Sequence, residues 1–167
     1  ARGRALHFFA NHELLALELM ALALMKFPDA DPKWRRTVFA TMRDEQKHMG
    51  MYLKQMNRFG VELGEIPLNR FFWDQISTME APVDFTVRMS LTFEQANLDF
   101  SMIYRDAFAT IGDHETAKLM QEVLDDEISH VRHGVRALNE WKSEEKTLWD
   151  TYETVSYTHL RAHETPE

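Results

Sequence analysis

Two Glu-x-x-His sequences occur in widely separated segments whose other positions are largely apolar. The first contains Glu45 and His48 in "RDEQKH", and the second contains Glu127 and His130 in "DDEISHVRHG". Residues three apart share one face of an α-helix, so each pair presents a carboxylate and an imidazole together. A face that is both charged and buried needs partners, because unpaired charge is costly to bury. This requirement restricts the folds that the chain can adopt.

One further glutamate precedes each Glu-x-x-His pair at nearly the same distance along the sequence: Glu13 before the first pair and Glu94 before the second. The offset from Glu13 to Glu45 equals the offset from Glu94 to Glu127 to within one position. The separation of the two lone glutamates likewise matches the separation of the two histidines to within one position. The sequence therefore predicts two similar helical hairpins, each with one lone glutamate and one Glu-x-x-His. Charge scattered over solvent-facing helices, the alternative explanation, rarely produces such matching spacings.

Apolar residues recur at three- and four-residue spacing almost throughout, and strand patterns are nearly absent. This periodicity predicts four long helices at about 4–27, 33–59, 83–110 and from the turn at 111–113 to 141, or on to 152. A long connection at 60–82, with room for one short helix, joins the two hairpins. We therefore predict an all-α fold: a ferritin-like four-helix bundle made of two helical hairpins joined by a long crossover.

Composition restricts the class of protein. A chain of 167 residues that is 44% apolar is most simply one domain with a substantial core. Cysteine is absent, which rules out thiolate sites and suits a reducing compartment, so we expect a cytoplasmic protein. The net charge of −8 disfavours nucleic acid as a partner. The most apolar run, "LMALALM", is shorter than the ~20 residues of a membrane span, so we expect no membrane partner.

The two ends of the sequence are set apart from the domain. The chain opens on Ala1 without a start methionine, which indicates a truncated start and leaves any targeting segment undetermined. We assign residues 1–155 to the domain. Residues 156–167, "SYTHLRAHETPE", depart from the helical pattern and resemble a translated sequencing-adaptor tail. A native and a non-native origin both stay open, so His159 and His163 are left out of the predicted site.

Packing the two hairpins together would bring four carboxylates and two imidazoles to a common point, the ligand set of di-iron and di-manganese carboxylate bundles. The predicted metal ligands are Glu13, Glu45, His48, Glu94, Glu127 and His130. Four carboxylates balance the charge of two divalent ions, so the occupied cluster can be buried. Oxygen and nitrogen ligands without sulfur suit iron or manganese, and open coordination positions suit oxygen activation. We expect two iron ions, with manganese as the alternative.

Several residues near these ligands have two interpretations. Asp44 and Asp126 each precede the glutamate of a pair, and we predict that they orient the ligand histidines; ordinary surface acids are the alternative. Tyr52 lies one helical turn beyond His48. It is interpreted either as a redox-active neighbour of the site or, more simply, as a core tyrosine with its hydroxyl near the site. His133 is expected at the surface, with an extra ligand as the alternative.

Three segments carry a resemblance to a known superfamily: "HFFANHELLALELM", "DEQKHMGMY" and "DDEISHVRHG". They resemble the ferritin-like superfamily, and more narrowly a bacterial ferritin-like family of unassigned function related to tRNA-modifying di-iron hydroxylases. The resemblance covers about residues 5–142. It implies the same six ligands, with Glu45 and Glu127 bridging the two metal ions.

The predicted site and the resemblance together indicate a non-haem di-iron or di-manganese oxidoreductase. We expect it to activate O₂ and to oxidise or hydroxylate a small-molecule or macromolecular substrate, with reduction by an external electron donor. Two alternatives stay open: ferritin-type iron oxidation and storage, and a non-catalytic binding protein stabilised by metal. Storage needs a closed shell of many subunits, whereas the oxidoreductase is expected as a small homo-oligomer. The relationship to tRNA-modifying enzymes is one of fold and site alone.

Overall fold

The computed structural model describes residues 1–161, with side chains to residue 156, and every regular element in this range is a helix. The elements are α1 (Arg2–Lys26), α2 (Pro32–Asn57), α3 (Phe71–Ile76), α4 (Pro82–Phe85), a π-helical segment (Thr86–Phe93), α5 (Glu94–Thr110), α6 (His114–Trp141) and α7 (Leu148–Arg161). The predicted all-α fold is confirmed over the described residues. The short helix predicted within the crossover is α3.

Two helical hairpins form the body of the protein. Helix α1 packs along α2, α5 packs along α6, and α2 contacts α6 across the two hairpins. At the first turn, Asp31 caps α2 and Pro32 occupies the first helical position, where its missing N–H is not needed. At the second turn, Gly112 adopts a φ of 77°, and Asp113 caps α6 by accepting a hydrogen bond from Thr116 N. These local signals end and restart the helices where the periodicity predicts.

The helix predicted at 83–110 is continuous, but its N-terminal part is wound as a π-helix. Glu94 N donates to Met89 O, five residues back, and the side chain of Thr92 donates from Oγ1 to Val87 O at 2.9 Å. Gly134 of α6 lies against this segment, and a Cβ there would stand 2.6 Å from Ser90 Cβ. The π-helical segment ends at Phe93, directly before Glu94, and such segments are frequent at functional sites.

Replacing Gly134 by alanine is expected to destabilise the protein by about 1–3 kcal/mol, because the added methyl group forces α6 away from the π-helical segment. Gly50→Ala is the matched control: it lies on the exposed face of α2, and a Cβ there meets nothing within 4 Å. That change is expected to stabilise the protein by about 0.5–1 kcal/mol through helix propensity. Urea unfolding of both variants measures the difference, and equal effects would contradict the close packing.

Helix α6 ends at Trp141, which selects the shorter of the two predicted ends of the fourth helix. Lys142 is extended, with a ψ of 146°, and stops the helix. A separate helix then starts at a reciprocal cap: Thr147 N donates to Asp150 Oδ2 at 2.9 Å, and Asp150 N donates to Thr147 Oγ1 at 3.1 Å.

Helix α7 runs to Arg161, so helical structure continues beyond residue 155, where the pattern predicts that it ends. The origin of residues 156–167 stays a prediction, and His163 lies outside the described residues.

Helix α1 is the one helix of the described chain that is long and apolar enough to cross a membrane, with a mean hydropathy of 1.4 in its 18-residue window. Half of that window is buried inside the protein. The core helix of a soluble protein passes the same test of length and composition, so this single helix is weak evidence for a span. The expected absence of a membrane partner stays a prediction.

Two apolar clusters flank the middle of the hairpins. One contains Leu19 and Trp34, near the first turn, and the other contains Phe9 and Met56, toward the far ends of α1 and α2. On α1, Glu13 lies between the residues of the two clusters. A polar layer that contains Glu13 therefore separates the two apolar clusters of the core.

Candidate metal centre

All six predicted ligand residues come together in this polar layer, on α1, α2, α5 and α6. Each is at most 6% exposed. Their ligand atoms form two overlapping groups, with the atoms of each group within 4.8 Å of one another. The first ligand group is Glu13, Glu45, His48 and Glu127, and the second ligand group is Glu45, Glu94 and His130. Glu45 belongs to both groups and is the residue that they share.

Both imidazoles turn the same ring nitrogen toward the carboxylates. His48 Nδ1 lies 3.2 Å from Glu45 Oε2. His130 Nδ1 lies 3.1 Å from Glu45 Oε1 and 3.4 Å from Glu127 Oε2. The Nδ1 atoms are therefore the atoms that could join a metal centre.

The other ring nitrogen of each histidine faces one of the two predicted orienting aspartates. His48 Nε2 lies 3.0 Å from Asp126 Oδ2, and His130 Nε2 lies 3.2 Å from Asp44 Oδ2. Each aspartate thus serves the histidine of the opposite hairpin. An imidazole that donates Nε2–H to a carboxylate presents the lone pair of Nδ1, which is the usual arrangement around metal-bound histidine.

One neighbour of the centre was missed by the sequence analysis. Asn97 Nδ2 donates to Glu127 Oε1 at 2.8 Å and fixes the orientation of that carboxylate. The available signal was its position three residues after Glu94, on the same face of the helix. An asparagine at this spacing is too common to single out without the structure.

Tyr52 and His133 lie where their simpler interpretations place them. Tyr52 is fully buried, stacks on Phe9 with ring centroids 5.4 Å apart, and donates its hydroxyl to Met120 Sδ at 3.7 Å. Burial and the charge of Glu13 raise the pKa of the Tyr52 hydroxyl well above its ordinary value. His133 is exposed at the surface of α6. A redox role for Tyr52 stays a prediction.

The carboxylates differ strongly in acidity because burial and mutual repulsion act on them unequally. Burial, with the charge of Glu45 added, raises the pKa of Glu13 well above its ordinary value. Burial and the charge of Glu127 raise the pKa of Glu94 to about 8. Burial also opposes ionisation of Glu45, but the close contacts with His130 and His48 outweigh it and lower its pKa.

In the metal-free protein, protons on the two histidines balance part of the negative charge of the buried carboxylates. Burial lowers the pKa of His130, but its contacts with Glu127 and Glu45 outweigh that effect and raise the pKa to about 12. The pKa of His48 is raised as well, because the contact with Glu45 outweighs burial. Positive charge is therefore favoured at the point where the carboxylates converge.

Several buried polar atoms of the centre lack a hydrogen-bond partner. They are Glu13 Oε1 and both carboxylate oxygens of Glu94. Glu45 Oε1 and Glu127 Oε2 also lack a hydrogen bond of good geometry, although both lie within ion-pair distance of His130 Nδ1. Buried polar groups normally form hydrogen bonds, and leaving one without a partner costs about 1–3 kcal/mol, or more for a charged group. These carboxylate oxygens fit divalent cations as the missing partners.

Two cavities reach this centre. The aromatic cavity, of about 360 Å³, is bordered by Glu13, Glu45, Glu94 and Glu127 and by phenylalanine rings. The polar cavity, of about 410 Å³, reaches Glu94 and His130 and is lined by charged residues that include Lys33 and Arg136. Glu94 borders both cavities, so the second ligand group is approached by two routes.

The helices and the centre define an all-helical protein with a buried cluster of glutamates and histidines. The chain belongs to the family described as protein of unknown function (DUF455), which matches residues 1–166. No curated protein and no solved structure matches the chain. The geometry of the centre therefore carries the functional argument.

Proposed function

We propose that this protein is a ferritin-like four-helix bundle and a non-haem di-iron oxidoreductase, with manganese as the alternative metal. It would activate O₂ to oxidise or hydroxylate an organic substrate. The observation that carries this proposal is the pair of overlapping ligand groups that share Glu45. The order of the hairpins and their long crossover support the ferritin-like arrangement.

The two ligand groups would each hold one ion. Glu45, which belongs to both groups, and Glu127, whose Oε2 also lies near His130, would help to hold both ions. When bound, a reduced pair of ions supplies the electrons that O₂ activation requires. The chain contains no cysteine, so electrons for a further cycle would come from an external donor.

The residues around the ligands would fix the centre in one arrangement. Asp44 and Asp126 hold the Nε2–H groups, which keeps both Nδ1 atoms directed inward. Asn97 holds Glu127, and the rings of Phe72 and Phe93 line the aromatic cavity next to the carboxylates.

The aromatic cavity favours substrate oxidation over the two alternatives. It has the volume of a small-molecule site and ends at the four carboxylates. A purely structural metal site would be closed to ligands of this size. An iron-storage site requires a route for hydrated ions, which the polar cavity can provide, but iron storage has no use for a second cavity with an aromatic wall. An oxidoreductase would use this cavity to bind its substrate next to the carboxylates.

Addition of Fe(II) in air is expected to saturate near two ions per chain, on an oligomer of few subunits, with O₂ consumed in proportion. Iron analysis, O₂ electrode traces and light scattering on one preparation measure the three quantities. Continued uptake of many ions into a large hollow particle would show storage instead. Two bound ions that consume no O₂ would indicate a metal-stabilised binding protein.

A further inference from the structure

We infer that the aromatic cavity selects an uncharged molecule that carries a flat apolar ring. This inference rests on the proposed function and names the substrate class of the same centre. It is carried by the shape of the cavity wall, by the charges that border the cavity and by the rings at its entrance.

The wall is a continuous series of rings in contact, of which Phe72 and Phe93 are stacked. The His12 ring lies 4.0 Å from the ring of Phe8 and 4.6 Å from the ring of Phe72, centroid to centroid. Phe72 stacks on Phe93 at 4.3 Å, with 29° between the ring planes. Flat rings interact with each other at these separations in stacked or edge-on geometry. The wall therefore matches a flat guest better than a globular one.

This wall adjoins the carboxylates through one residue. Phe93 is the last residue of the π-helical segment, and Glu94 follows it directly. Phe93 also meets the ring of Phe71 at 5.8 Å, so the series extends from the carboxylates to the surface. A ring bound along this wall would reach the second ligand group.

The charges that border the aromatic cavity exclude an anion. Among the residues that the structure describes, no lysine or arginine lines it, and the polar side chains besides the four carboxylates are His12, Asn69 and Asn97. Without bound ions, an anionic guest would meet carboxylates that no lysine or arginine of the cavity balances, which is unfavourable in a buried site. Lysine and arginine line the polar cavity instead, through Lys33 and Arg136. With two divalent ions balancing four carboxylates, a neutral guest fits best.

Large exposed rings mark the entrance. Phe8, Phe71 and Phe100 line the cavity and are 39%, 56% and 45% exposed. Apolar rings grouped around a cavity, rather than scattered singly, indicate a place where an apolar ligand binds. The volume of about 360 Å³ accommodates a small molecule, or one ring of a larger one.

A pair of fluorescent probes tests this inference: N-phenyl-1-naphthylamine, which is neutral, and 1-anilinonaphthalene-8-sulfonate, which adds one sulfonate. The neutral probe is expected to bind saturably. Phe71→Ala is expected to weaken that binding by about 3- to 10-fold, because it removes one ring of the wall. Phe39→Ala is the matched control, since Phe39 is similarly exposed at 52% but lines neither cavity that reaches the centre. The sulfonated probe is expected to show no dependence on Phe71.

Equal effects of the two alanine variants, or a Phe71-dependent signal from the sulfonated probe, would overturn the inference. Both phenylalanines are more than half exposed, so neither variant is expected to unfold. Metal analysis of the same samples separates this inference from the proposed function. Two bound ions without neutral-probe binding would overturn the substrate class alone. Phe71-dependent probe binding in a protein that takes up no metal would overturn the oxidoreductase and leave the selectivity of the cavity in place.

Discussion

Replacing Glu45 and Glu127 together by alanine is expected to lower the metal content from about two ions per chain to about none, with helical content unchanged. Both residues would bridge the ions, so their loss removes ligands from both positions at once. The helices are expected to persist because the two apolar clusters that flank the centre still hold them together. Metal analysis after growth with excess iron, together with circular dichroism, measures the outcome.

The control for this variant is Glu18→Ala combined with Asp99→Ala, which removes the same number of carboxylates from exposed positions of α1 and α5. It is expected to keep both ions. Loss of metal from the control as well would point to general acidity instead of a defined centre. A wild-type protein that holds one tightly bound zinc ion, or no metal, would contradict the proposed di-metal centre.

In the metal-free protein, Glu94→Gln is expected to raise the free energy of unfolding at pH 7 by about 1–3 kcal/mol. The pKa of Glu94 rises from 4.5 to about 8 on folding, so the folded protein holds a proton that the unfolded chain releases at neutral pH. The groups that act on it are Glu127, His130 and Glu45. Glutamine is neutral at every pH and removes this penalty.

The sign of the pH dependence follows from the raised pKa. The wild-type contribution is fully present below pH 4.5 and is lost as the pH rises toward 8. The advantage of Glu94→Gln should therefore be absent at low pH, grow between these values and level off above pH 8. Metal-free urea unfolding across this range measures it, with Glu18→Gln as the exposed control. A destabilised glutamine variant would show that the carboxylates do not share a buried site.

The sequence predicted the parts of the fold and site that depend on period and spacing. The four long helices end within a few residues of their predicted limits, because Pro32, Asp113 and Gly112 are local signals. The matched registers predicted which glutamates and histidines meet, since helices of similar length in two packed hairpins align equal positions. Whether those residues bind metal stays a prediction.

Features that depend on how the hairpins pack could not be predicted. The π-helical segment has the same apolar pattern as an α-helix, and its contact with Gly134 is visible only in three dimensions. The exchange of aspartates between hairpins depends on rotation of each helix about its axis. The aromatic cavity forms because α3 packs against α1, which positions Phe72 beside His12. No local pattern in the sequence of the crossover predicts this packing.

Within the described residues, the π-helical segment occurs in the second hairpin and not in the first, and this breaks the equivalence that the duplicated registers create. The second ligand group borders both cavities, through Glu94 and His130, whereas the first ligand group borders the aromatic cavity alone of these two. The two ions of the proposed centre would then be chemically distinct neighbours. In a mixture of iron and manganese, occupancy should be ordered, with the more loosely held metal settling beside Glu94 and leaving it first.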